Sequence, residues 1–143
     1  MSSYTAIEDA LVARFLIHFP SELAAERVGA GDPDGVMEAI FSNNQMYGVV
    51  IEFGGGREDT SKSFSKPVWI WSFMGIFFIR YDDNIEANLR AIVDKLKTLL
   101  DDDHRLSGTT PLAKFTMIED AEPGTVNDVP FYWLPFTIEA LDQ

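Results

Sequence analysis

His18 and His104 are the only histidines in this 143-residue chain, and cysteine is absent. A thiol nucleophile, a disulfide framework and a cysteine-based metal site are therefore excluded. Neither histidine has the His-x3-His or Glu-x-x-His spacing that sets two ligands on one helical face. His18 falls beside an apolar helical stripe and reads as a packed or rim residue, and His104 lies in a charged stretch and reads as solvated. Asp82-Asp83 and Asp101-Asp102-Asp103 would attract a divalent cation, but neither has the ligand spacing of a calcium loop. Glu119, Asp120 and Glu122 have the residue types for acid-base work, yet they fall at a turn with no apolar pocket implied to separate their pKa values. Gly54-Gly55-Gly56 runs into Arg57-Glu58, not the Gly-Lys-Ser/Thr of a phosphate loop. No Gly-x-Ser-x-Gly elbow occurs. The expectation is a protein with no catalytic, cofactor-binding or metal-binding residues and no cofactor.

Charge narrows the partners. The chain carries 23 acids against 11 bases, a net charge of −12. Residues 101–143 alone hold nine acids and two bases. Tight contact with nucleic-acid phosphate is disfavoured. The acidic excess is either a solvated surface or one shaped to repel or mimic DNA. The N-terminal stretch has acids where a signal peptide would have bases, so a soluble protein, cytoplasmic at synthesis and without a membrane partner, is expected.

The elements that would position these residues follow from periodicity. Thr5 and Glu8 have capping-box spacing, and Ile7, Leu11, Phe15 and Phe19 recur every four residues. That predicts a helix closing near Phe19-Pro20. Residues 21–46 are less regular, with a possible short helix capped by Asp32 and led by Pro33. Tyr47–Phe53 reads as a strand, and residues 54–66 as a flexible loop. Val68–Tyr81 reads as a strand apolar on both faces, with Gly75 marking a bulge or a close backbone approach. Ile85, Leu89, Ile92, Val93, Leu96, Leu99 and Leu100 predict a second amphipathic helix, with Asp83 and Glu86 at its start. Residues 112–119 and 129–141 read as two further strands joined by turn chemistry, the last placed at a sheet edge by Pro130 and Pro135.

The length suggests a single domain over 1–143. The order α-β-β-α-β-β implies an α+β fold, a mostly antiparallel sheet with two main helices on one face and a possible extra short helix in 21–46. Such a sheet leaves the second apolar face of residues 68–81 without an obvious cover. Either another subunit covers it or residues 21–46 fold over it.

Two segments resemble a known family. Ile7-Glu8-Asp9-Ala10-Leu11-Val12-Ala13-Arg14 is similar to the opening helix of phage tail terminator proteins of long-tailed and Mu-like phages. Val49-Val50-Ile51-Glu52-Phe53-Gly54-Gly55-Gly56 resembles their first strand and its glycine-rich exit, and the element order agrees along most of the chain. The resemblance implies a structural virion protein at the head-proximal end of the tail, present in the host cytoplasm during assembly. It implies a ring, usually a hexamer, that caps the tail tube, stops its polymerisation and offers a surface to the head connector or stopper. Its partners would be copies of itself, the tube protein and the connector, with DNA passing through an acidic lumen without specific binding. Trp69, Trp71, Phe73 and Phe77 are the candidates for packing at the core or between subunits, and Arg57, Lys62 and Lys66 for contacts to an acidic neighbour. Asp101, Asp102, Asp103, Glu119, Asp120 and Glu122 are the lumen candidates. Another neck component, such as a tail-completion or head-tail joining protein, is the near alternative. An acidic DNA-mimic inhibitor is the alternative from another class.

Overall fold

Ile7, Leu11, Phe15 and Phe19, four residues apart, are completely buried. They form the inner stripe of α1 (Ser3–His18) and of the turn beyond it. A computed structural model describes residues 3–24, 27–30, 33–42, 45–59, 68–126 and 128–142. In chain order the elements after α1 are β1 (Val28–Ala30), α2 (Pro33–Ser42), β2 (Tyr47–Asp59), β3 (Val68–Arg80), α3 (Ile85–Lys97), β4 (Ala113–Ile118), β5 (Glu122–Val126) and β6 (Val129–Leu141). The fold is α+β. One six-stranded sheet runs β1-β2-β3-β6-β4, with β5 also beside β6, and only β1–β2 is a parallel pair.

Helices α1 and α3 seal one face of this sheet. Phe73, Phe77 and Ile79 of β3 and Leu134, Phe136 and Ile138 of β6 join the α1 stripe and Ile92 and Leu96 of α3 in one core. Each buried aromatic or branched side chain contributes about 1.5–3 kcal/mol relative to exposure. Phe136 lies flat over Gly75, where an added Cβ would come within 2.1 Å of its ring. Gly75 is thus a close approach, and the bulge sits instead in β2, between Phe53 and Gly55.

The acids after α3 are tolerated because α1 supplies donors and charge. Arg14 Nε donates to the Leu99 carbonyl at 2.8 Å. His18 Nε2 lies 2.7 Å from the Lys95 carbonyl. These groups answer the orphan carbonyls and the negative end of the helix dipole. At the other end of α3 the capping differs from the sequence reading. The Asp82 carboxylate, not Asp83, accepts the Asn84 N–H at 2.9 Å and the Asn88 amide at 3.2 Å. Thr5 likewise lies inside α1 rather than capping it.

Three readings of the strands are corrected. First, β2 continues to Asp59, so residues 54–59 are strand and not loop. Gly55 takes φ +99°, open to glycine at no steric cost. Gly56 leaves room for the Trp71 indole, which would stand 2.4 Å from an added Cβ. Pairing with Val68–Trp71 then decides the conformation of Arg57-Glu58-Asp59 despite their polarity. The remainder of the expected loop, residues 60–66, lies outside the described residues. Second, β1 and β5 are additional strands, β5 arising from the stretch read as turn.

Third, β6 is central and not at an edge, paired with β3 on one side and β4 and β5 on the other. Its prolines fit because the N–H and C=O of a strand residue point to the same side. The Pro135 carbonyl accepts Glu119 N–H, so its missing donor faces the break between β4 and β5. The Pro130 carbonyl accepts Tyr81 N–H, just past the end of β3.

Candidate functional site

The second face of the sheet falls into three zones. At one end α2 covers it: Val36, Met37 and Ile40 pack on Val50, Phe78 and Phe131 in a separate small core. Gly48 makes room for this helix, since an added Cβ would meet Ile40 at 2.5 Å. The alternative that residues 21–46 fold over the second face therefore holds for this end. At the opposite end Arg57 reaches across β3 to Glu139 on β6, at 2.9 Å. The middle is open among the described residues. Met74 and Met117 are 51% and 54% exposed there, values that mark large apolar side chains with no cover.

A cleft of about 470 Å³ lies between α2 and this open strip. Its floor is apolar, with Met37, Met74, Ile76, Phe78 and Pro135, and Trp133 forms part of the wall. Asp34, Glu52 and Glu119 line it, and among the described residues no basic side chain does. All three acids are exposed. The site thus combines an apolar floor with a negative rim, a surface suited to an apolar group flanked by cations. Its volume is in the range of about 300–1,000 Å³ typical of ligand-binding clefts.

A second exposed feature lies along the far part of the β2–β3 hairpin. Tyr4 stacks on Phe53 at 4.2 Å, Trp71 meets both edge-on, and Trp69 stacks on Trp71 at 6.1 Å. Trp69 ends this ladder 44% exposed. The ladder continues the helix-covered face beyond the helices, so its outermost ring has no covering element among the described residues.

The sequence-derived site residues divide accordingly. Trp69 is the exposed end of the ladder, and Trp71 is half-buried against the core. Phe73 and Phe77 are completely buried in their own chain's core and cannot touch a partner. Both belong to the face opposite α2, where α1 and α3 lie on them. Arg57 is engaged by Glu139 within the chain. Lys62 and Lys66 lie outside the described residues.

The acids do not converge. Asp101 lines a shallow hollow with Ala113 and Phe115 at the start of β4, whereas Glu119, Asp120 and Glu122 follow its other end. Asp103 accepts the Ser107 N–H at 2.9 Å. Asp102 is 3.9 Å from Arg14 and highly exposed. Glu119 belongs to the cleft rim. Among the described residues no group of three or more His, Asp or Glu side chains is placed to hold a metal ion. No helix among them is long and apolar enough to cross a membrane.

Met74, Met117, Glu52 and Asp34 were not singled out by sequence reasoning. The available signal was the even-numbered series of β3, Met74, Ile76 and Phe78, apolar on the face that two helices alone would leave bare.

No protein-family model matches the chain, and no curated protein matches its sequence.

Proposed function

We propose that this chain is a structural assembly protein of a phage tail: a terminator whose copies form a ring, in the hexameric form usual for that family, on the finished tail tube. The ring stops tube polymerisation and presents a docking surface to the head connector or stopper. One observation carries the assembly reading. The middle of the sheet's second face exposes Met74 and Met117 beside an apolar cleft, and no described part of the chain covers it. An exposed apolar strip rimmed by polar residues is the kind of surface that interfaces use. The finer reading rests on the resemblance through Ile7–Arg14 and Val49–Gly56 and on the element order. The net charge of −12 supports it further, because a lumen of like charge lets DNA slide without tight phosphate contact.

Electron microscopy of particles assembled without this protein tests the proposal. Overlong tails are the expected result. Tails of normal length without heads would instead assign a joining role at the neck, and normal particles would remove the chain from the tail altogether.

A further inference from the structure

We propose that the cleft on the second sheet face receives the β2–β3 hairpin tip of a neighbouring copy, with Phe64 on the apolar floor and Lys62 and Lys66 against Glu52, Glu119 and Asp34. The inference rests on the ring-forming reading above and names the contact that would close the ring.

Charge complementarity selects this occupant. Residues 60–67, Thr-Ser-Lys-Ser-Phe-Ser-Lys-Pro, contain two lysines and one phenylalanine and no acid, in a chain of net charge −12. The cleft has the opposite character, three acids around an apolar floor and, among the described residues, no base. The spacing fits as well. Lys62, Phe64 and Lys66 alternate, so a segment docked in extended form sets all three on one side, with a cation on each flank of the ring.

Reach decides that the tip comes from another copy. The cleft floor at Ile76 lies eight residues along β3 from Val68, roughly 26 Å at strand rise. Phe64 is four residues from Val68, and four residues span at most about 14 Å. Even with the length of the phenyl side chain added, Phe64 stops short of Ile76 on its own chain, so it cannot seat on the inner floor of its own cleft. A tip at one end and a cleft toward the other make a heterologous interface, the kind that closes into a ring when the rotation allows.

The absence of cysteine makes the contact directly testable. Lys66→Cys, on the side of the segment that would face the cleft, and Thr137→Cys are introduced singly into full-length protein, and equal amounts are mixed and oxidised. Thr137 lines the cleft. The expected result is a 66–137 heterodisulfide in excess of either homodisulfide. Adding Lys62→Glu to the Lys66→Cys chain lowers its yield about tenfold, equivalent to about 1.4 kcal/mol of docking energy. Adding Glu52→Lys and Glu119→Lys to the Thr137→Cys partner restores it. Loss of yield is scored only where the charge-reversed chain keeps wild-type circular dichroism. Restoration is scored only for chains with wild-type circular dichroism.

A statistical mixture of disulfides overturns the proposal, as does a yield that charge reversal leaves unchanged or that the double reversal does not restore. The microscopy above separates this idea from its foundation. Cross-links with unaltered tails keep the docking and remove the terminator role, and overlong tails without cross-links do the reverse.

Discussion

The two faces of one sheet use the same kinds of side chain to different ends. On the face under α1 and α3, β3 contributes Phe73 and Phe77, both fully buried. On the other face, the next residues along the same strand, Met74 and Ile76, stand beside an open cleft. The difference lies in the covering helices. Two helices span the first face, and α2 spans only the end of the second that holds Val50, Phe78 and Phe131. Apolar composition therefore marks a strand as two-sided but does not say which side folding itself conceals. The side left partly bare carries the negative rim and is the one open to a partner.

That contrast can be broken in the core first. Phe77→Ala should cost about 3–5 kcal/mol in urea unfolding, because it removes a fully buried ring and leaves a cavity under Phe19 and Tyr47. A cost near zero would mean that the helix-covered face is loosely packed. Gly56→Ala comes next. Its Cβ would stand within 2.4 Å of the Trp71 ring, so the indole must move, at about 1–3 kcal/mol and with a shift in tryptophan emission. An unchanged spectrum would dissociate the aromatic ladder from its glycine seat.

Met74→Gln probes the bare side. Monomer stability should change by no more than about 0.5 kcal/mol, since the side chain is half exposed. Association measured by light scattering across concentration should weaken. A large loss of monomer stability would show that the strip is structural after all.

The smallest effect is expected at Glu8, on the helix-covered side. Partial burial and then the neighbouring Asp9 charge raise its pKa above the ordinary value. The folded state thus binds the proton more readily than the unfolded state, and stability contributed by this group falls as pH rises through the folded-state pKa. Glu8→Gln should give a small gain at pH 7, within about 0.5 kcal/mol, that disappears below the ordinary carboxylate range. Thermal unfolding at pH 7 and pH 3.5 reads the sign. A gain that persists at the lower pH would point to packing rather than charge.

Much of the fold is legible in the residue order. The stripes Ile7-Leu11-Phe15-Phe19 and Ile85-Ile92-Leu96 mark α1 and α3, and continuous apolar content marks β3, because helical and strand periods are local properties of the chain. Short α2 is visible through Pro33 at its first position. The extension of β2 through Arg57-Glu58-Asp59 is not visible, because those residues are held by Val68–Trp71 across the hairpin rather than by any pattern of their own. The central place of β6 is hidden for a similar reason. Proline subtracts one donor, and whether that loss matters depends on which neighbour the missing donor would have faced.

The candidate site follows the same division. The chain by itself determined the surplus of apolar strand surface, the acidic balance and the basic, phenylalanine-bearing stretch at 60–67, since composition and alternation need no partner to be defined. Only the tertiary structure decided that Phe73 and Phe77 are interior, that Arg57 is paired with Glu139, and that Asp34, Glu52 and Glu119 meet around one cleft. Those three acids come from α2, β2 and the end of β4. Such residues become neighbours only when strand register and the seating of a helix are fixed, and both are set by contacts between distant parts of the chain.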